Sequence, residues 1–361
     1  MSLIYIMVII LIFVWLVWNL FLVYYVHKLN KKPAKSKKVR QNRKKCAQMA
    51  MFNIIVVLLI FILICGGKIY KHRMGNEQKN QSRIPPITSQ TAASDISPSI
   101  VAKNVLVYNV DKNEIIYEKN SDEKISPAST TKLLNALTVL KYCSLDEIVY
   151  VGDEIYNISD DASTAYLREG DVLCIEDLLV AMLLPSGNDA AYVLAKYTGT
   201  KILNNSDIYN YTDSEAIEAF IEEMNYTATS LGTTNSFFNT PDGYDSDGQY
   251  TTAYDLLLIS NACFENKTIM DIVSKSCIYS IWENGRETTY YNTNELINPE
   301  SMYYYEGTLG MKTGFSNNAG ACIISVVNIR GVNYICVLMN SEENFRWKDT
   351  LTIFEEIENL D

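Results

Sequence analysis

Residues 3–26 form a run of 24 residues with no charge and one strongly polar side chain, Asn19. Backbone amides in hydrocarbon must find their partners inside their own segment, so such a run is expected to fold as a helix. At about 1.5 Å per residue it is long enough to span the roughly 30 Å core of a bilayer. A second uncharged run, residues 49–67, lies nearer the lower limit of a span. Residues 27–48 between them hold ten Lys or Arg and no acid. Basic loops stay cytoplasmic, so the simplest topology is a retained hairpin that places everything after residue 67 outside the cell membrane. The alternative makes residues 49–67 a cleaved signal segment, which exports the rest equally well. Lipid attachment at Cys65 is disfavoured because Ile62, Leu63 and Ile64 before it are not small.

Charge divides the chain along the same boundary. Residues 1–94 hold fifteen Lys or Arg against one acid, Glu77, whereas the remainder holds 16 basic and 41 acidic residues. An acidic body repels phosphate, which argues against nucleic acid as a partner, and the bilayer is the expected one for the basic end. Residues 74–97, rich in Ser, Thr, Gln and Pro, read as a flexible linker. The expected organisation is an anchor over 1–73, a linker over 74–97 and an exported body over 98–361. Of the eight cysteines none forms a C-x-x-C pair, and the six in the body are expected to act mostly as small buried hydrophobes.

The body opens with two β-rich runs around the polar turn D-K-N-E, a hairpin pattern. A helix is predicted from near Ser129, with Leu133, Leu134, Leu137 and Leu140 at helical spacing. Further amphipathic stretches cover 175–196, 214–231 and 251–263. Residues 310–327 and 332–339 read as adjacent strands, and 348–360 as a closing helix. Strands at both ends with helices between them predict an α/β (α+β) body whose sheet joins distant parts of the chain.

The segment P-A-S-T-T-K-L-L sets Ser129 and Lys132 three residues apart, a spacing that stacks them on one helical face. A serine hydroxyl needs a base, and the usual one is histidine. Both histidines, His27 and His72, precede the body. An unprotonated Lys132, its pKa depressed by burial and nearby positive charge, is the remaining base in reach. Ser129 near a helix N-terminus would also have backbone N–H groups close to a developing oxyanion. The spacing alone is weak, since Ser121 and Lys124 share it in a polar turn. Two further motifs follow, Ser186-Gly187-Asn188 and Lys312-Thr313-Gly314, although Ser316-Asn317-Asn318 also matches the first.

The order S-x-x-K, S-x-N, K-T-G is that of penicillin-recognising serine enzymes. In this order, and with its flanking segments, the chain resembles the low-molecular-mass penicillin-binding proteins, specifically the serine-type D-Ala-D-Ala carboxypeptidases, over about residues 98–358. The flanking matches include V-Y-N-V-D-K-N-E-I-I-Y-E-K-N, E-G-D-V-L-C-I-E-D-L-L-V-A-M-L-L-P-S-G-N-D-A-A and G-M-K-T-G-F-S-N-N-A-G. The resemblance implies a β-lactamase/transpeptidase-like fold, with a mainly antiparallel sheet flanked by helices and a helical subdomain. It implies no cofactor and no metal, a peptidoglycan stem pentapeptide as substrate and β-lactams as covalent inhibitors. Residue by residue it assigns Ser129 as nucleophile, Lys132 as base and Ser186 as proton relay to the leaving amine. Asn188 would bond the substrate backbone, Lys312 supply positive field, and Thr313 bond the terminal carboxylate. The N–H groups of Ser129 and of Phe315, after Gly314, would form the oxyanion hole. Arg346 falls where a second carboxylate-binding arginine is expected, against the alternative of a surface ion pair.

The rival readings are a class A-like β-lactamase, a D,D-transpeptidase and an inactive wall-binding module. No E-x-x-L-N segment follows Ser186, and Asn225 has Ile221 four residues before it, so the deacylating carboxylate of a β-lactamase is not evident. Zinc-dependent peptidases are excluded by residue supply, the body having no histidine. The chain departs from the family at Gln249, where relatives commonly have histidine, which puts local packing in doubt. It also ends soon after the K-T-G motif, which shifts the expected anchoring to the N-terminal segments.

Overall fold

A computed structural model of the protein describes residues 96–206 and 208–360, all within one compact unit, Ile84–Asp361. The spans expected at 3–26 and 49–67, and nearly all of the linker at 74–97, lie outside the described residues. Among the described residues no helix is long and apolar enough to cross a membrane.

Strands from the beginning and the end of the described residues meet in a five-stranded antiparallel sheet. Strands β1 (Asn104–Asn109) and β2 (Glu114–Lys119) form the expected hairpin, whose tight turn places Asn113 at φ 55°, a conformation asparagine tolerates better than most residues. Strands β7 (Thr308–Ser316), β8 (Gly320–Ile329) and β9 (Val332–Ser341) complete the order β2-β1-β9-β8-β7. Residues 310–327 therefore do not make one strand. They fold back around 317–319, and Lys312 sits in the middle of β7 instead of opening a strand.

Both faces of the sheet are buried, and strand alternation sorts the side chains between two cores. Cys322, Ile324 and Val326 of β8 join Ile335, Val337 and Met339 of β9 on one side, with helices α1 (Thr131–Tyr142) and α5 (Ala253–Glu265). Ile323, Val327, Cys336 and Leu338 face Trp347, Ile353, Phe354 and Ile357 of the closing helix α7 (Phe345–Glu358) on the other.

The amphipathic stretch read over 175–196 is two helices, α2 (Ile175–Leu183) and α3 (Asn188–Asn205). The helix cannot run through Pro185, which has no N–H to donate, and Ser186 follows at φ 65°. Helix α4 (Asp213–Ser230) packs on α3 and begins with a capping box between Thr212 and Glu215. Helix α6 (Lys267–Val273) leads into a separate hairpin of β5 (Cys277–Ile281) and β6 (Glu287–Tyr291). This hairpin and the short pair β3 (Ile148–Tyr150) and β4 (Val172–Cys174) carry too little pattern to be read from sequence. The result is an α+β fold in which the S-x-N motif lies at a helix junction and the K-T-G motif on the sheet's edge strand.

Candidate active site

Ser129 does not lie in an α-helical turn. It occupies a 3-10 turn, Ala128–Thr130, immediately before α1, with Lys132 in the first turn of that helix. The tighter turn still brings Ser129 Oγ and Lys132 Nζ to 2.7 Å. Ala128, just before the nucleophile, is at φ 47°, a region that costs a non-glycine residue on the order of 1–3 kcal/mol. The surroundings hold it there. Gly243, at φ 82°, lies so close that a Cβ would come within 1.9 Å of the Ala128 carbonyl oxygen, and a Cβ on Gly314 would stand 3.3 Å from the Ser129 nitrogen. No other residue type fits at 243 without displacing the nucleophile.

Lys132 is fully buried and has three neighbours: Ser129 Oγ at 2.7 Å, Asn188 Oδ1 at 2.6 Å and the Asp242 carbonyl oxygen at 3.1 Å. The two carbonyl oxygens can only accept, whereas the hydroxyl can donate. The ammonium form donates to all three, and once it loses a proton two N–H bonds can stay on Asn188 and Asp242 while the freed lone pair faces the Ser129 hydroxyl. Burial lowers the Lys132 pKa to about 8, while Asp242 and Asp189 pull it upward. The depression expected from sequence is present, but burial drives it and the named charges oppose it.

Lys312 is buried as well, and its pKa lies well below the ordinary lysine value, chiefly through burial and then through Lys132 and Arg346. Its Nζ donates to the Thr313 carbonyl at 3.0 Å. Burial disfavours its charge, so an anion placed beside it would be stabilised.

The S-x-N turn is held from outside. Ser163 Oγ donates to the Ser186 carbonyl at 2.7 Å, and the Asn188 N–H donates to the Ser163 carbonyl at 2.8 Å. Asp189 accepts from the N–H groups of Ala165 and Leu167, which fixes the same loop. Asn188 reaches the site with its Oδ1 already on Lys132, leaving its Nδ2 for a ligand. The Ser186 side chain is nearly buried and makes no hydrogen bond to Ser129 or Lys132.

On the opposite wall, β7 is an edge strand whose free rim packs against the Ser129 turn. Phe315 is 58% exposed, so its ring is not part of the core, and its backbone stands one residue from the Gly314–Ser129 contact. Thr313 Oγ1 lies 2.6 Å from Thr293 Oγ1. Arg346 is not a surface ion pair: its Nη1 donates to the Gly314 carbonyl at 2.9 Å and its guanidinium stacks 4.8 Å from the Trp347 ring centroid. Its Nε is buried with no partner, an open donor beside the K-T-G strand.

The cleft between these walls is lined by Ser129, Asn188 and Phe315, and also by Asp161, Ser163, Tyr244 and Asp245, which sequence reasoning missed. Single polar residues in loops carry no spacing signal. Tyr244 donates to Asp161 Oδ1 at 2.7 Å across the cleft, and Asp245 accepts from Ser126 and Ser316, each at 2.7 Å. Gln249, the departure from the family pattern, packs well: it accepts from the Asn239 N–H at 2.9 Å and donates to the Tyr244 carbonyl at 3.0 Å. Asn225 binds the Phe238 backbone through both ends of its amide and is a structural staple. The acidic trio Asp153, Glu154 and Asp213 could hold a cation in principle. Lys196 already sits in it, 2.8 Å from Glu154 and 2.6 Å from Asp213.

Residues 89–343 match the family model described as D-alanyl-D-alanine carboxypeptidase. The D-alanyl-D-alanine carboxypeptidase DacF of Bacillus subtilis is 25% identical over 66% of this chain and 57% of its own length. The D-alanyl-D-alanine carboxypeptidase of Streptomyces sp. strain K15 is 28% identical over 69% of this chain and 84% of its own. Among solved structures, the Streptomyces K15 DD-transpeptidase superposes with TM-score 0.65 at 29% identity, over 72% of this chain and 98% of that one. The D-alanyl-D-alanine carboxypeptidase of Mycobacterium tuberculosis gives 0.63 at 26% identity, over 73% and 93%.

Proposed function

We propose, on the premise that this chain belongs to the D-alanyl-D-alanine carboxypeptidase family, that it removes the terminal D-alanine from peptidoglycan stem peptides through an acyl-Ser129 intermediate. In this reading the Lys132 lone pair takes the Ser129 proton as Oγ attacks the carbonyl carbon of the penultimate D-alanine. The N–H groups of Ser129 and Phe315 receive the developing oxyanion. The C–N bond then breaks, the proton reaches the departing amine by way of Ser186, and free D-alanine leaves. Water attacks the ester and releases the shortened peptide, returning the proton to Ser129. Asn188 Nδ2 holds the substrate backbone, while Lys312, Thr313 and Arg346 receive the terminal carboxylate.

The observation that carries this reading is the fully buried Lys132 Nζ, its pKa lowered to about 8, held 2.7 Å from Ser129 Oγ by Asn188 and the Asp242 carbonyl. A β-lactam presents a strained amide and a carboxylate in a similar arrangement, so penicillin would acylate Ser129 and remain. The apolar runs at 3–26 and 49–67 would tether the body to the outer face of the cell membrane.

The test is to incubate the protein with a fluorescent penicillin and, separately, with a diacylated Lys-D-Ala-D-Ala peptide. The expected result is stable labelling that is lost in Ser129→Ala, together with D-alanine release. Labelling that survives in Ser129→Ala, or a parent that releases no D-alanine, overturns the proposal. A second reading, transfer of the acyl group to an amine, is favoured by the fold shared with the Streptomyces K15 DD-transpeptidase. Adding an amine acceptor and looking for the transpeptidated product separates the two.

A further inference from the structure

We infer that Thr293, which lies in none of the three motifs, is a positioning residue that aims the Thr313 hydroxyl at the substrate's terminal carboxylate; this rests on the carboxypeptidase reading above.

The two hydroxyls are 2.6 Å apart, and either oxygen could donate to the other. Each has one proton to give. If Thr313 gave its proton to Thr293, it would turn a lone pair toward an incoming anion and repel it. For Thr313 to donate to a carboxylate, Thr293 must be the donor within the pair. A bound carboxylate therefore selects one direction for the whole chain: Thr293 O–H to Thr313 Oγ1, then Thr313 O–H to the carboxylate. The first bond polarises the second and confines the Thr313 rotor to the useful orientation.

Thr293 is itself well fixed. Its N–H donates to the Leu184 carbonyl at 3.1 Å, at the end of α2 two residues before Ser186. On its N-terminal side, the Asn292 N–H donates to the Ser276 carbonyl, and Asn292 Nδ2 donates to the carbonyls of Val273 and Lys275. On its C-terminal side, Asn294 is fully buried and its N–H donates to Asn292 Oδ1 at 2.9 Å. Thr293 thus links the base of the S-x-N turn to the K-T-G strand and sets where the Thr313 hydroxyl stands between them.

The experiment compares kcat/KM for a diacylated Lys-D-Ala-D-Ala peptide with that for its C-terminal amide, in the parent, Thr293→Val and Thr293→Ser. Valine keeps the shape and removes the hydroxyl; serine keeps the hydroxyl. The expected result is a preference for the acid over the amide that falls about fivefold in Thr293→Val, carried mainly by KM, and is restored in Thr293→Ser. An unchanged preference in Thr293→Val, or equal losses on acid and amide, overturns the inference, because a purely structural role would depress both substrates together. If Thr293→Val does not fold, Thr293→Ala carries the same comparison. A parent that hydrolyses neither substrate would instead overturn the carboxypeptidase reading.

Discussion

Lys132 and Lys312 are both buried lysines beside one nucleophile, yet their environments differ in kind. Lys132 is surrounded by three oxygens from three separate segments, and burial brings its pKa down to about 8. Lys312 donates to the carbonyl of the next residue, and its pKa too lies well below the ordinary lysine value through burial and then through Lys132 and Arg346. A group near 8 can take and return a proton at physiological pH, which suits a base. A group whose charge is disfavoured until an anion arrives suits a carboxylate receptor. Under the proposed function, identical side chains would divide into catalyst and receptor according to what surrounds them.

The largest effect that tests this division is Lys132→Met. Removing the base is expected to slow acylation by fluorescent penicillin about a hundred- to ten-thousandfold, with the labelling rate as the measurement. In the parent the same rate should rise with pH and level off above about 8, because the neutral form of Lys132 accumulates as pH passes its lowered pKa. A rate flat from pH 6 to 9 would remove Lys132 from the role of base.

Next comes Lys312→Met, expected to raise KM for the D-Ala-D-Ala peptide about ten- to a hundredfold, as the loss of a charge-assisted contact would. The pH inflection should stay near 8, since burial is what lowers Lys132. An upward move of about one unit would mean that Lys312 is charged in the free enzyme and helps to set the base.

The smallest effect is expected from Arg346→Leu, which breaks the bond to the Gly314 carbonyl and the stack on Trp347. We expect a fall of about 2–4 °C in Tm, equivalent to roughly 1 kcal/mol in a domain of this size. Peptide kcat/KM should fall about tenfold. Unchanged kinetics would leave Arg346 as a brace for β7 alone.

Legibility from sequence followed pattern length. The β1–β2 hairpin, α1 and α7 were readable because apolar residues recur at the strand or helix period over several turns. The stretch over 175–196 misled because its apolar residues continue across Pro185, and the strained Ser186 that divides it leaves no periodic trace. Ser129, Lys132, Ser186, Asn188 and Lys312 were visible as ordered short motifs. Ser163, Thr293 and Asp245 were not, since each acts through contacts with residues 20 or more positions away in sequence.

By itself, the sequence determined which chemistry was available: a body without histidine, a serine with a lysine three residues on, and three motifs in a fixed order. Those are facts of composition and spacing, which survive without coordinates. Tertiary structure alone decided what state the groups are in. The Lys132 pKa falls to about 8 because the side chain is buried, and its Nζ is held against Ser129 because Asn188 and Asp242, 56 and 110 residues away, accept its other N–H bonds. Desolvation and hydrogen-bond direction depend on what surrounds an atom in three dimensions, and long-range contacts of that kind have no signature in local sequence.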